Sequence, residues 1–145
     1  MRITILATGS RGDVEPYVAL ALGLRASGQT VKVATHATYA ALVRGRGLDF
    51  AEVSGDYRAY HESRGGREAL AQNHGFFRML YQGSRRAGPL LHHVMLDSWR
   101  ACQDSEAIVV NQLSVVLGYH IAEKLSVPLV RAFNMPVSPT SDYPA

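Results

Sequence analysis

Apolar residues fall in short dense runs separated by stretches with helical spacing. Ile3 to Ala7 is apolar-rich with β-branched members and is bounded by Gly9, the pattern of a central strand buried on both faces. From Val14 to Ala26 the residues Val18, Ala21, Leu22 and Leu24 recur near helical spacing, with Pro16 suited to a first turn and Gly28 to a stop. Thr30 to Thr35 reads as a second strand, Val31 and Val33 on one face and Thr30, Lys32 and Ala34 on the other. A helical crossover is too long for a hairpin, so this unit predicts parallel strands joined with right-handed geometry. The pattern repeats with Thr38 as N-cap, a helix over Tyr39 to Arg46, Gly47 as its stop and a strand at Leu48 to Val53. Farther along, Ala107 to Asn111 reads as a buried strand, Ser114 opens a helix through Leu125, and Pro128 to Phe133 returns as a strand. This alternation predicts an α/β doubly wound parallel sheet that binds ligands at the carboxyl ends of its strands.

The stretch from Gly55 to Gly88 breaks the rhythm, with many Gly, Arg and His residues around one apolar cluster of Phe76, Phe77, Met79, Leu80 and Tyr81. A helix near Pro89, carrying Leu90, Leu91, Val94, Met95, Leu96 and Trp99, resumes it. An irregular insert between regular units is expected to carry a substrate-specific surface. Its apolar cluster reads either as a wall for a flat apolar alcohol or as the core-facing side of a helix.

Composition narrows the class. At 145 residues, 47% hydrophobic and 19% charged, the chain is expected to form one domain that buries a core without disulfides or a structural metal. Cys102 is the single cysteine, which excludes an internal disulfide and fits a reducing compartment, so the expected location is cytoplasmic. No stretch approaches the ~20 apolar residues that cross a bilayer, which leaves peripheral contact as the expected mode at a membrane. Arg78, Arg85 and Arg86 are the residues that would lean toward anionic headgroups. The net charge of +3 is not gathered into one basic run, and no nucleic-acid partner is expected.

Thr8-Gly9-Ser10-Arg11-Gly12-Asp13 joins the first strand to the first helix, where α/β folds take phosphorylated ligands. It is neither GxGxxG nor a Walker A loop, and the second strand ends in Thr35-His36 rather than in an acidic residue. A Rossmann oxidoreductase is therefore a disfavoured alternative. Six histidines are present, none spaced with Cys or carboxylates for zinc, so no metal is expected. On position alone, Asp13 reads as a helix cap, and Ser10, Arg11 and Gly12 read as a tight turn or as a phosphate cradle. His36 falls at the same carboxyl edge as Asp13 and is expected to line the cleft.

The run Gly9-Ser10-Arg11-Gly12-Asp13-Val14-Glu15-Pro16-Tyr17-Val18-Ala19-Leu20 resembles the opening of sterol and antibiotic-aglycone glycosyltransferases, the family 28 type with a GT-B fold. A second stretch, Gly118-Tyr119-His120-Ile121-Ala122-Glu123-Lys124-Leu125 leading into Val127-Pro128 and then Met135-Pro136-Val137-Ser138-Pro139-Thr140, is similar to the same family in order and spacing. The resemblance implies two Rossmann-like domains, residues 1–145 being the N-terminal acceptor-binding domain. It implies an inverting transfer of a hexose from a nucleotide-diphosphate sugar, such as a UDP-sugar, to a hydroxyl of a sterol-like lipid or hydrophobic natural product. That sugar nucleotide is a co-substrate, and no cofactor is implied. Asp13 is then the implied general base, which takes the hydroxyl proton as the oxygen attacks the anomeric carbon. Ser10, Arg11 and Gly12 would meet the donor diphosphate, and His36, Phe76, Phe77, Tyr81, Asn134, Met135 and Ser138 the acceptor. The chain stops short of the family's second domain, so a donor-binding domain in cis or on a separate chain is the expected partner, and this chain alone is expected to be inactive. A non-catalytic ligand-binding module of the same fold remains the alternative.

Overall fold

The computed structural model describes residues 1–55 and 91–134. Strand β1 (Arg2–Leu6) lies at the centre of a five-stranded sheet of order β3-β2-β1-β4-β5. It pairs in parallel with β2 (Thr30–Thr35) on one side and β4 (Ala107–Val110) on the other, Ile3 standing opposite Val31 and Ala107. The outer strands, β3 (Asp49–Glu52) and β5 (Leu129–Arg131), are parallel as well. Helices pack on both faces of β1, which explains why the first apolar run does not alternate.

Alternate residues of these strands serve two separate cores. Ile3, Ile5, Val31, Val33 and Val109 pack with Val14, Tyr17, Val18 and Ala21 of helix α1 (Arg11–Ala26) and Val43 of α2 (Ala40–Arg44). Leu6, Ala34, Ile108 and Val110 pack with Ala101 and Cys102 of α3, described over 91–102, and Ile121 and Ala122 of α4 (Val115–Leu125). Each such fully buried aliphatic side chain contributes about 1.5–3 kcal/mol. Cys102 belongs to this packing: burial pushes its thiol up to about 12, so it is a small hydrophobe and not a nucleophile. Gly118 lets α4 close on the sheet, since a Cβ there would overlap Val110 Cγ1.

Polar anchors fix where α3 ends. The Thr4 hydroxyl donates to the Ala101 carbonyl at 3.3 Å and accepts from Ser105 Oγ at 2.7 Å, both beneath the second core. Lys32 Nζ reaches the Ala101 carbonyl at 3.2 Å and Asp104 at 2.7 Å. The expected strand at Thr30 to Thr35 has the observed bounds, while the strands expected at Leu48 to Val53 and Pro128 to Phe133 are shorter.

Two expectations are corrected. Helix α1 starts at Arg11 rather than Val14, which moves Pro16 out of the first turn to the sixth helical residue. The reason is local: Ser10 at the N-cap and Asp13 at N3 hydrogen-bond each other and nucleate the helix three residues early. Thr38 caps no long helix, because Ala37–Tyr39 forms a 3₁₀ turn and α2 runs only over Ala40–Arg44 before Gly45 and Gly47.

Candidate functional site

The chain lays β1, β2 and β3 outward in one direction and β4 and β5 in the other, so the carboxyl ends of β1 and β4 form the switch-point crevice where such sheets bind ligands. Two loops meet there, 7–10 after β1 and 111–114 after β4. Asn111, fully buried, stitches them: its Nδ2 donates to the Thr8 carbonyl at 2.7 Å and to the Asp13 carbonyl at 3.3 Å, and its Oδ1 accepts from Ser114 N–H at 3.0 Å. Thr8 and Ser114 hydroxyls lie 2.8 Å apart across the same seam.

Asp13 sits in the first turn of α1, over this seam. Its Oδ2 accepts from Ser10 N–H at 2.9 Å and from Ser10 Oγ at 2.7 Å, and its Oδ1 accepts from Gln112 Nε2 at 3.1 Å. Its charge reaches Tyr17: burial first, then Asp13, pushes that phenol above its ordinary value. Gly9, at φ +123, permits the approach, because a Cβ there would lie 2.8 Å from Asp13 Oδ2 and 2.7 Å from Leu113 Cδ1.

His36 lies at the edge of the crevice, 7% exposed, with both ring nitrogens engaged. Nε2 accepts from Gly9 N–H at 3.2 Å and Nδ1–H donates to the Val53 carbonyl at 3.1 Å, which defines the tautomer. Histidine here ties the ends of β2 and β3 to the β1 loop. Its contact toward the site passes through the backbone of Gly9.

Pro16 has no N–H, so the Gly12 carbonyl loses its helical partner four residues on. Asn134 Nδ2 donates to that carbonyl at 3.2 Å, and the Tyr17 hydroxyl donates to the Ala132 carbonyl, so the segment after β5 is moored to the start of α1. Arg11 lies outside the crevice's inner face: its guanidinium makes two 3.1 Å bonds to Glu15 along the exposed side of α1, which raises its pKa and lowers that of Glu15. The structure thus brings Ser10, Gly12, Asp13, His36 and Asn134 to one crevice rim. Phe76, Phe77, Tyr81, Met135 and Ser138 lie outside the described residues. Among the described residues, no group of His, Cys, Asp and Glu is arranged to hold a metal ion, and no helix is long and apolar enough to cross a membrane.

Asn111 and Gln112 are the site residues that sequence reasoning missed. A usable signal was present: a doubly wound sheet binds at the ends of the two strands flanking its switch point, and these residues directly follow the second of them.

Residues 3–144 match the family described as Glycosyltransferase family 28 N-terminal domain. Over 146 aligned residues covering 99% of the chain, it is 39% identical to a sterol 3-beta-glucosyltransferase of Cryptococcus neoformans and 40% identical to one of Aspergillus fumigatus. The chain spans 9% and 10% of the length of those two relatives. Among solved structures, the Streptomyces sp. SF2575 glycosyltransferase SsfS6, complexed with thymidine diphosphate, superposes on 92% of this chain and 38% of its own, with TM-score 0.64 and 26% identity. The chain belongs to the glycosyltransferase family 28 N-terminal domains.

Proposed function

We propose that this family 28 N-terminal domain is the acceptor-binding half of an inverting glycosyltransferase, which moves a hexose from a nucleotide-diphosphate sugar to the hydroxyl of a sterol-like or similarly apolar alcohol. The observation that carries the proposal is the Asp13 carboxylate at the switch-point crevice, held by Ser10 and Gln112. A bound alcohol gives its proton to Asp13 as its oxygen bonds to the anomeric carbon. The bond from that carbon to the diphosphate oxygen breaks, the diphosphate leaves with the electron pair, and the centre inverts.

Charge then grows on the leaving diphosphate. The open start of α1 offers the Gly12 N–H to it, Ser10 shapes that turn with its N–H and hydroxyl given to Asp13, and Arg11 exchanges an exposed Glu15 for a phosphate oxygen. Sterol as the acceptor class rests on the activity for which the relatives are named and on the apolar run Phe76, Phe77 and Tyr81 in the sequence, with Asn134, Met135 and Ser138 as further acceptor contacts. His36 shapes the rim through Gly9. A UDP-sugar is the donor in this reading, with the reaction run from the cytoplasmic side by a domain resting peripherally on the membrane. Sugar selection belongs to a donor-binding domain.

Calorimetric titration of the chain with hydroxylated sterols and polyketide alcohols, with NADH as contrast, tests the reading. Binding of an alcohol without NADH is the expected result. Tight NADH binding with no alcohol bound would overturn it.

A further inference from the structure

A carboxylate offers roughly four lone-pair positions, two on each oxygen. Asp13 Oδ2 already accepts two bonds, from Ser10 N–H and Ser10 Oγ, whereas Oδ1 accepts one, from Gln112 Nε2. Among the described residues, the vacant lone pair is therefore on Oδ1, the oxygen that Gln112 holds. Gln112 orients itself for this contact against its own interest: its Oε1 is buried without any hydrogen-bond partner. Turning the carboxamide over would set that oxygen against an acceptor-only carboxylate, so the Asp13 contact dictates the orientation. Buried unsatisfied polar atoms are rare enough to require a cause, and they gather at functional sites.

We propose that Gln112 is a positioning residue for the transfer reaction, holding Asp13 Oδ1 so that its one vacant lone pair faces the alcohol proton. This rests on the reading of Asp13 as the base. Gln112 stands on the turn after β4, and Asn111 beside it locks that turn to the Thr8 and Asp13 carbonyls. The amide is neutral, so it orients the oxygen without setting a positive charge beside it. The other groups around Asp13 among the described residues leave this role to Gln112. Tyr17 on α1 donates its hydroxyl to Ala132, Arg11 is paired with Glu15, and His36 from the end of β2 is engaged by Gly9 and Val53.

Carboxyl-carbon NMR on this chain reads the Asp13 carboxyl directly. Gln112→Met, close in volume and lacking the amide, is expected to displace the Asp13 carboxyl-carbon resonance at neutral pH, because Oδ1 loses its donor. Gln112→Glu, isosteric and placing a second acceptor against Oδ1, is expected to displace it as well, and it decides the matter if the methionine variant fails to fold. A resonance that stays in place in a folded variant overturns the proposal. In the enzyme completed by its donor-binding domain, Gln112→Met lowers kcat by about tenfold with KM for the alcohol unchanged. An unchanged kcat alongside a displaced resonance overturns the role in transfer. A displaced resonance in an enzyme whose wild type transfers no sugar leaves the contact standing and sinks the glycosyltransferase reading instead.

Discussion

Asp13 and Asp97 are built alike and placed differently. Each takes, on Oδ2, both the backbone N–H and the hydroxyl of one serine: Ser10 for Asp13, and Ser54, whose N–H is at 3.1 Å, for Asp97. The second oxygen separates them. Asp97 Oδ1 faces the Arg100 guanidinium at 3.4 Å, whereas Asp13 Oδ1 faces the neutral amide of Gln112 at 3.1 Å. The Ser54 hydroxyl above all, then its N–H and the charges of Arg100 and His93, hold Asp97 below the usual carboxylate range against the opposing effect of burial. Its partner Ser54 follows β3 and Asp97 lies on α3, so the pair clasps the two ends of the stretch between them. Asp97 is tied to a cation in a structural clasp, whereas Asp13, among the described residues, meets only neutral donors at a crevice.

The strongest way to break this contrast is to remove each charge in turn. Asp13→Asn in the completed enzyme is expected to lower kcat on the order of 10²–10⁴-fold with the fold intact by circular dichroism. Asp97→Asn is expected to leave kcat near wild type. Comparable losses from the two variants would erase the distinction. Next in size, Gly9→Ala combines a left-handed backbone position with overlap of the Asp13 carboxylate, and should cost about 3 kcal/mol in urea unfolding while weakening alcohol binding. Asp97→Asn should cost about 1–2 kcal/mol in the same measurement, from the hydrogen bonds to Ser54 that it weakens. The smallest effect is in pH. Because the Asp97 pKa is lowered on folding, its stabilisation is present above about pH 4 and disappears as pH falls through the folded value. Melting temperature should therefore fall less between pH 5 and pH 3 in Asp97→Asn than in wild type, and equal slopes would remove Asp97 from the acid response.

These two acids also mark how far the chain can be read before folding. The Ser10–Asp13 bond spans three residues, and its components were visible in the motif, although Pro16 drew the expected helix start too far downstream. Ser54 and Asp97 lie 43 residues apart, and Gln112 and Asp13 lie 99 apart, so nothing in local spacing pairs them. Asn134 was expected at the cleft as an acceptor contact. Its actual partner, the Gly12 carbonyl freed by Pro16, requires both a helix register and a strand order to be known. His36 was placed correctly at the carboxyl edge, yet its two bonds to Gly9 and Val53 follow from three strand ends converging.

Periodicity and stop residues determined the parallel α/β order, because burial and backbone φ act within a few residues; Gly28 at φ +84 and Gly47 at φ +69 end their turns as the sequence alone requires. The motif from Gly9 to Leu20 determined the kinship and nominated Asp13. Only the tertiary structure decided which oxygen of Asp13 meets Gln112, and which acid is tied to a cation instead. Those are matters of direction at hydrogen-bond distance between segments far apart in the chain, and the geometry exists only once β1 and β4 lie side by side.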